Sequence, residues 1–86
     1  MGGRSKILLL VSPICEGSLR VARELRKWAE SKGVELEELS VLTKEGQEVA
    51  MSFKVDMVPA VIVGDRLVAQ GGMPDLKQLE SVLSES

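Results

Sequence analysis

The sequence contains one cysteine and no histidine, and these two scarcities exclude more than any other feature. A lone thiol closes no internal disulfide, so a secreted scaffold stapled by cross-links is ruled out. Without histidine there is no Ser-His-Asp triad and no imidazole base, and no cluster of metal ligands is expected. The only aromatics are Trp28 and Phe53, too few for a base-stacking platform. The formal net charge of −2 supplies no basic stripe for phosphates, so nucleic acid is not an expected partner. The apolar run Ile7 to Val11 is too short for a membrane span or a signal segment. Lys6 stands where a myristoylation signal beginning Met1-Gly2-Gly3 needs Ser or Thr. A cytoplasmic protein without membrane association is expected.

What remains is one domain, residues 1–86, small enough that its core is marginal but sufficient without metal or cross-links. Lys6 to Val11 reads as a central strand covered on both faces. Pro13 interrupts it, and a helix is predicted from about Gly17, with Leu19, Ala22, Leu25, Trp28 and Ala29 on its buried side. Lys32-Gly33 ends that helix. Val34 to Leu42 mixes apolar and acidic residues, as a more exposed strand does. Thr43 caps a short helix that buries Val49, Ala50 and Phe53. Ala60 to Val63 and Arg66 to Gln70 form a hairpin around Gly64-Asp65. Pro74 suits the first turn of a last helix, whose Leu76, Leu79, Val82 and Leu83 share a face. The order β-α-β-α-β-β-α predicts a mixed four-stranded sheet, with its first strands parallel and helices on both faces.

Such a sheet places functional groups at the carboxyl end of a central strand, and Cys15 lies there. A buried free cysteine is a common core residue. Against that reading, Cys15 sits in a polar, Pro- and Gly-containing connection directly before a helix. Unpaired N–H groups at a helix start stabilise an anion, and thiols so placed drop from about 8.5 to about 3.5–7.5 in pKa. Glu16 opposes this effect, and Arg20, one turn on, offsets Glu16.

Ser12-Pro13-Ile14-Cys15-Glu16-Gly17-Ser18, lying between a strand and a helix, resembles the active-site turn of thioredoxins and glutaredoxins in its monothiol Cys-x-x-Ser form. Phe53 to Val61, with Val58-Pro59, resembles the family's segment leading to its cis-proline. Gly71-Gly72 and Asp75 resemble the glutaredoxin end that helps hold glutathione. The resemblance covers most of the chain in the right order and implies a thioredoxin-like fold. It also implies a monothiol thiol–disulfide oxidoreductase. Cys15 would be the attacking thiolate, Ser18 a hydroxyl beside the sulfur, and Pro59 a cis residue packed next to Cys15. Val58 would offer free backbone to an extended substrate, with Gly71, Gly72 and Asp75 completing the binding edge. The local sequence also allows plainer roles, with Ser18 satisfying backbone donors in the first helical turn and Asp75 favoured by the helix dipole. Implied partners are a protein disulfide or a low-molecular-weight thiol. The protein is expected to be a monomer that links through Cys15 on oxidation. No cofactor is expected, glutathione being the one small molecule the resemblance brings in.

The chain also departs from the family. Ile14 stands where thioredoxins have Trp, and Leu9 where they have a buried aspartate. Ser12, Glu16 and Gly17 fill slots that hold Lys and aromatics in many glutaredoxins. Two other readings follow. The first half resembles sugar IIB phosphotransfer subunits, which carry a phosphorylated cysteine after their first strand. The absence of a second cysteine also fits a non-catalytic binding module of the same fold.

Overall fold

A computed structural model describes residues 6–85; Met1 to Ser5, with the Met1-Gly2-Gly3 opening, and Ser86 lie outside the described residues. The elements run β1 (Lys6–Val11), α1 (Glu16–Lys32), β2 (Glu35–Ser40), α2 (Lys44–Ser52), β3 (Ala60–Val63), β4 (Arg66–Gln70) and α3 (Leu76–Glu85). The sheet order is β2-β1-β3-β4. β1 pairs with β2 in parallel and with β3 antiparallel, and β3 and β4 form an antiparallel hairpin. This is the expected mixed sheet.

The continuous apolar sequence of β1 and β3 is explained by cover on both faces. Ile7, Leu9, Val11, Val61 and Val63 face one side and pack with Val21, Ala22 and Leu25 of α1 and Leu79 and Val82 of α3. Leu10, Ala60 and Ile62 face the other side, under partly buried Val49, Ala50 and Phe53. Each fully buried leucine here, such as Leu25 or Leu79, contributes about 1.5–3 kcal/mol through burial.

The helix ends follow local chemistry. The Thr43 hydroxyl accepts from the Gly46 N–H at 3.0 Å at the start of α2. After α1, the Gly33 N–H reaches the Glu30 carbonyl and the Val34 N–H the Ala29 carbonyl, which satisfies carbonyls that the helix leaves open.

Four details differ from the sequence reading. α1 starts at Glu16 and β2 is confined to Glu35–Ser40. Leu19 is exposed, and its place on the buried face of α1 goes to Ser18 and Val21. Ala22, Leu25 and Ala29 keep their expected places on that face. Pro74 lies ahead of α3, and Asp75 opens the helix: its Oδ1 accepts from the Lys77 N–H at 3.0 Å and the Gln78 N–H at 3.5 Å.

Candidate functional site

β1 leaves the sheet at Val11, and the chain turns through Ser12 to Cys15, with the Cys15 N–H donating to the Ser12 carbonyl at 3.0 Å. Cys15 has extended backbone dihedrals and stands as the N-cap of α1. An N-cap side chain faces the free N–H groups two and three residues ahead, here those of Gly17 and Ser18. A carboxylate or hydroxyl in that slot would accept from them. The neutral thiol is a weak acceptor and closes no cap hydrogen bond.

Ser18 sits in the same turn with its side chain fully buried. Its Oγ has no hydrogen-bond partner among the described residues. Burying a hydroxyl unsatisfied is costly, about 1–3 kcal/mol, so this atom calls for an explanation. The electrostatics of Cys15 supply it. The thiol pKa is lowered from its ordinary value, first by the Ser18 backbone N–H, next by the Ser18 hydroxyl, and also by the Gly17 N–H, against some loss of solvation. These donors approach the sulfur without regular hydrogen bonds to the thiol, and they favour the form that accepts them well. The arrangement is complementary to a thiolate.

The strand register gathers other expected residues at this end of the sheet. Leu10 pairs with Ala60, and Ala60 with Gln70, so the turn after β1, the residues before β3 and those after β4 share one edge. The Val58-Pro59 bond is cis. The Gly71 N–H donates to the Pro59 carbonyl at 2.8 Å. A Cβ on Gly71 would lie 3.0 Å from the Met57 methyl, so this position is kept small by a side chain of the same loop. The Val58 backbone makes no hydrogen bond among the described residues. Gly72 has open space around it, while Asp75 lies further along with one carboxylate oxygen committed to capping α3.

Two features of this edge had escaped sequence reasoning. A recess of about 400 Å³ runs from Val58 along Met57 and Val55 to Ala50, Met51 and Val41. Gln70 binds the backbone ahead of Val58. The only signal for the recess is methionine at 51 and 57, which are exposed although apolar. Among the described residues there is no group of metal-ligating side chains, and no helix is long and apolar enough to cross a membrane.

A family model described as thioredoxin domain matches residues 5–84. The chain belongs to the thioredoxin-domain family. No curated protein matches it. Among solved structures it is similar to an uncharacterised thioredoxin-like protein from Clostridium perfringens, with a TM-score of 0.74 at 15% identity, covering 99% of this chain and 72% of that one. It is also similar to thioredoxin from Fasciola hepatica, with a TM-score of 0.70 at 17% identity and coverage of 96% and 81%. Thioredoxin f2 from Chlamydomonas reinhardtii gives 0.67 at 14% identity, covering 95% and 78%. At these identities the likeness concerns the fold. The family supports a thiol redox-type or binding module, and Cys15 is the single cysteine of this thioredoxin domain.

Proposed function

We propose that this thioredoxin domain is a monothiol thiol–disulfide exchange protein acting through Cys15. The Cys15 thiolate attacks one sulfur of a disulfide. The Cys15–sulfur bond forms as the substrate S–S bond breaks, and the leaving thiolate takes a proton from water. A second thiol from solution, as its thiolate, then attacks the substrate-derived sulfur of the mixed disulfide, so that the bound half leaves as a new disulfide and Cys15 departs as the thiolate. Over the cycle one thiol is consumed and one is released, the disulfide passes from the substrate pair to the new pair, and no cofactor enters. The observation that carries this reading is the buried Ser18 hydroxyl, without a partner and lowering the Cys15 pKa together with two backbone N–H groups.

The finer parts of the proposal extend that chemistry. Pro59 and the unpaired Val58 backbone receive an extended protein disulfide. A glutathione-type thiol serves the second step over Gly71-Gly72, with the free oxygen of Asp75 available to it. A reducing compartment such as the cytoplasm suits a lone thiolate. A peroxide, with no substrate present, joins two chains through Cys15 and removes two hydrogens in doing so.

Alkylation of Cys15 followed against pH tests the reading. The midpoint is expected below that of free cysteine, about 8.5, and a midpoint at or above it would leave a binding module as the better description. Ser18→Cys tests the geometry. On oxidation it is expected to form an intramolecular disulfide and lose two hydrogens by mass, since the pair spans one helical turn. Two separately alkylatable thiols after oxidation would show that residues 15 and 18 do not face each other.

A further inference from the structure

The segment from Val55 to Pro59 belongs to neither helix nor strand, so contacts outside it must set its position. The N–H groups of Asp56 and Met57 both donate to Gln70 Oε1, at 2.8 and 3.1 Å. Gln70 is the last residue of β4, half-buried, and its backbone sits opposite Ala60. Its neighbour Gly71 donates its N–H to the Pro59 carbonyl at 2.8 Å. Two consecutive residues therefore pin the segment on both sides of Val58, which is the one residue of the segment with neither its N–H nor its carbonyl paired among the described residues.

Two converging N–H donors need one oxygen with two lone pairs at the end of a side chain that spans the gap. Glutamine supplies it, glutamate would also supply it, and leucine of similar size would not. Asp56 and Met57 are exposed, so without the Gln70 oxygen their N–H groups would pair with water instead, and the segment, released from the end of β4, would carry Val58 with it.

We propose that Gln70 is a positioning residue, holding the free Val58 peptide where the backbone of an extended substrate can pair with it. The role of that peptide in disulfide exchange rests on the function proposed above.

The test compares Gln70→Leu and Gln70→Glu with the wild type on two probes. One is an extended peptide whose single cysteine is capped as a disulfide with mercaptoethanol, and the other is hydroxyethyl disulfide, which has no peptide backbone. Gln70→Leu is expected to slow mixed-disulfide formation with the peptide about tenfold, as loss of paired donors does. Its rate with hydroxyethyl disulfide and the pH midpoint of Cys15 should match the wild type. Gln70→Glu should keep the peptide rate within about threefold, since the acceptor oxygen remains. An equal fall on both probes, no fall with the peptide, or a glutamate variant as slow as the leucine one would overturn the proposal.

A wild type that reacts with neither probe faster than free cysteine defeats the exchange reading instead. Gln70 is then judged by amide exchange and by titrating Cys15→Ser protein with the same peptide carrying alanine for cysteine. Gln70→Leu should unprotect the Asp56 and Met57 amides and weaken peptide-induced shifts at Val58, with Ile62 unaffected and Gln70→Glu like the wild type. Protected amides and undiminished shifts in Gln70→Leu would overturn it on these grounds.

Discussion

At the residue scale, the pairing of Cys15 with Ser18 ties stability to pH. The folded thiol pKa is lowered, so between that value and the unfolded value of about 8.5 the unfolded chain binds more protons than the folded one. Stability contributed by the thiolate is therefore present above the unfolded pKa and is lost as pH falls through the folded pKa. Ser18→Ala separates the two states. With Cys15 protonated, it removes a buried hydroxyl that has no partner, so the variant is expected to be at least as stable as wild type in urea denaturation. Above the unfolded pKa it is expected to have lost ground against wild type, because a donor to the thiolate is gone. A variant that is equally destabilised at both pH values would detach the hydroxyl from the thiol.

The residues of this site were unequally legible. Cys15 and Ser18 are neighbours in one turn, so local spacing placed them together. Gln70 meets Asp56 and Met57 across 14 and 13 positions of sequence. That meeting depends on how the β3–β4 hairpin folds back on the chain, which no local pattern encodes. Leu19 lies at the margin of its helical stripe, which spacing fixes only to within about one residue, and in the fold it is exposed while Ser18 is buried.

Among the elements, α2 shows how tightly a short helix can be seated at its start. A Cβ on Gly46 would fall 1.9 Å from the Ser40 carbonyl oxygen, which is backbone. Any side chain there must push the first turn of α2 off the end of β2. Gly46→Ala is expected to cost more than about 2 kcal/mol, in the range of overpacking substitutions. Thr43→Ala, which removes the cap on the Gly46 N–H, should cost about 1 kcal/mol. Equilibrium urea unfolding of both variants checks these values, and their order is the sharper test. β1 and β3 are legible in the sequence because they are apolar on both faces, whereas β2 alternates irregularly and occupies only Glu35–Ser40 of the expected Val34 to Leu42.

For the whole molecule, charge contributes little. The ion pairs Lys6–Glu37, Arg26–Glu38, Lys32–Glu80 and Arg66–Glu85 all lie at the surface. Exposed pairs of this kind are each worth about 0–1 kcal/mol and are screened by salt. Raising sodium chloride to about 0.5 M should therefore change unfolding free energy by no more than about 1 kcal/mol. A larger fall would mean that these pairs act as a network. The topology followed from the alternation of elements, because a parallel β-α-β start and a hairpin finish leave few ways to share one sheet.

The two faces of that sheet are not equal partners. Among the described residues, the cluster between the sheet and α1 and α3 holds ten buried side chains, five from the strands and five from the helices; the cluster under α2 holds three, all from the strands, and the helix adds only partly buried side chains to them. The molecule thus has a thick side and a thin side. The thin side is where the chain should come apart first, and a protease would be the instrument to see it. Lys44 and Lys54, exposed at the two ends of α2, should be the earliest tryptic cuts between residues 16 and 63. The basic residues along α1 should resist until the sheet itself gives way.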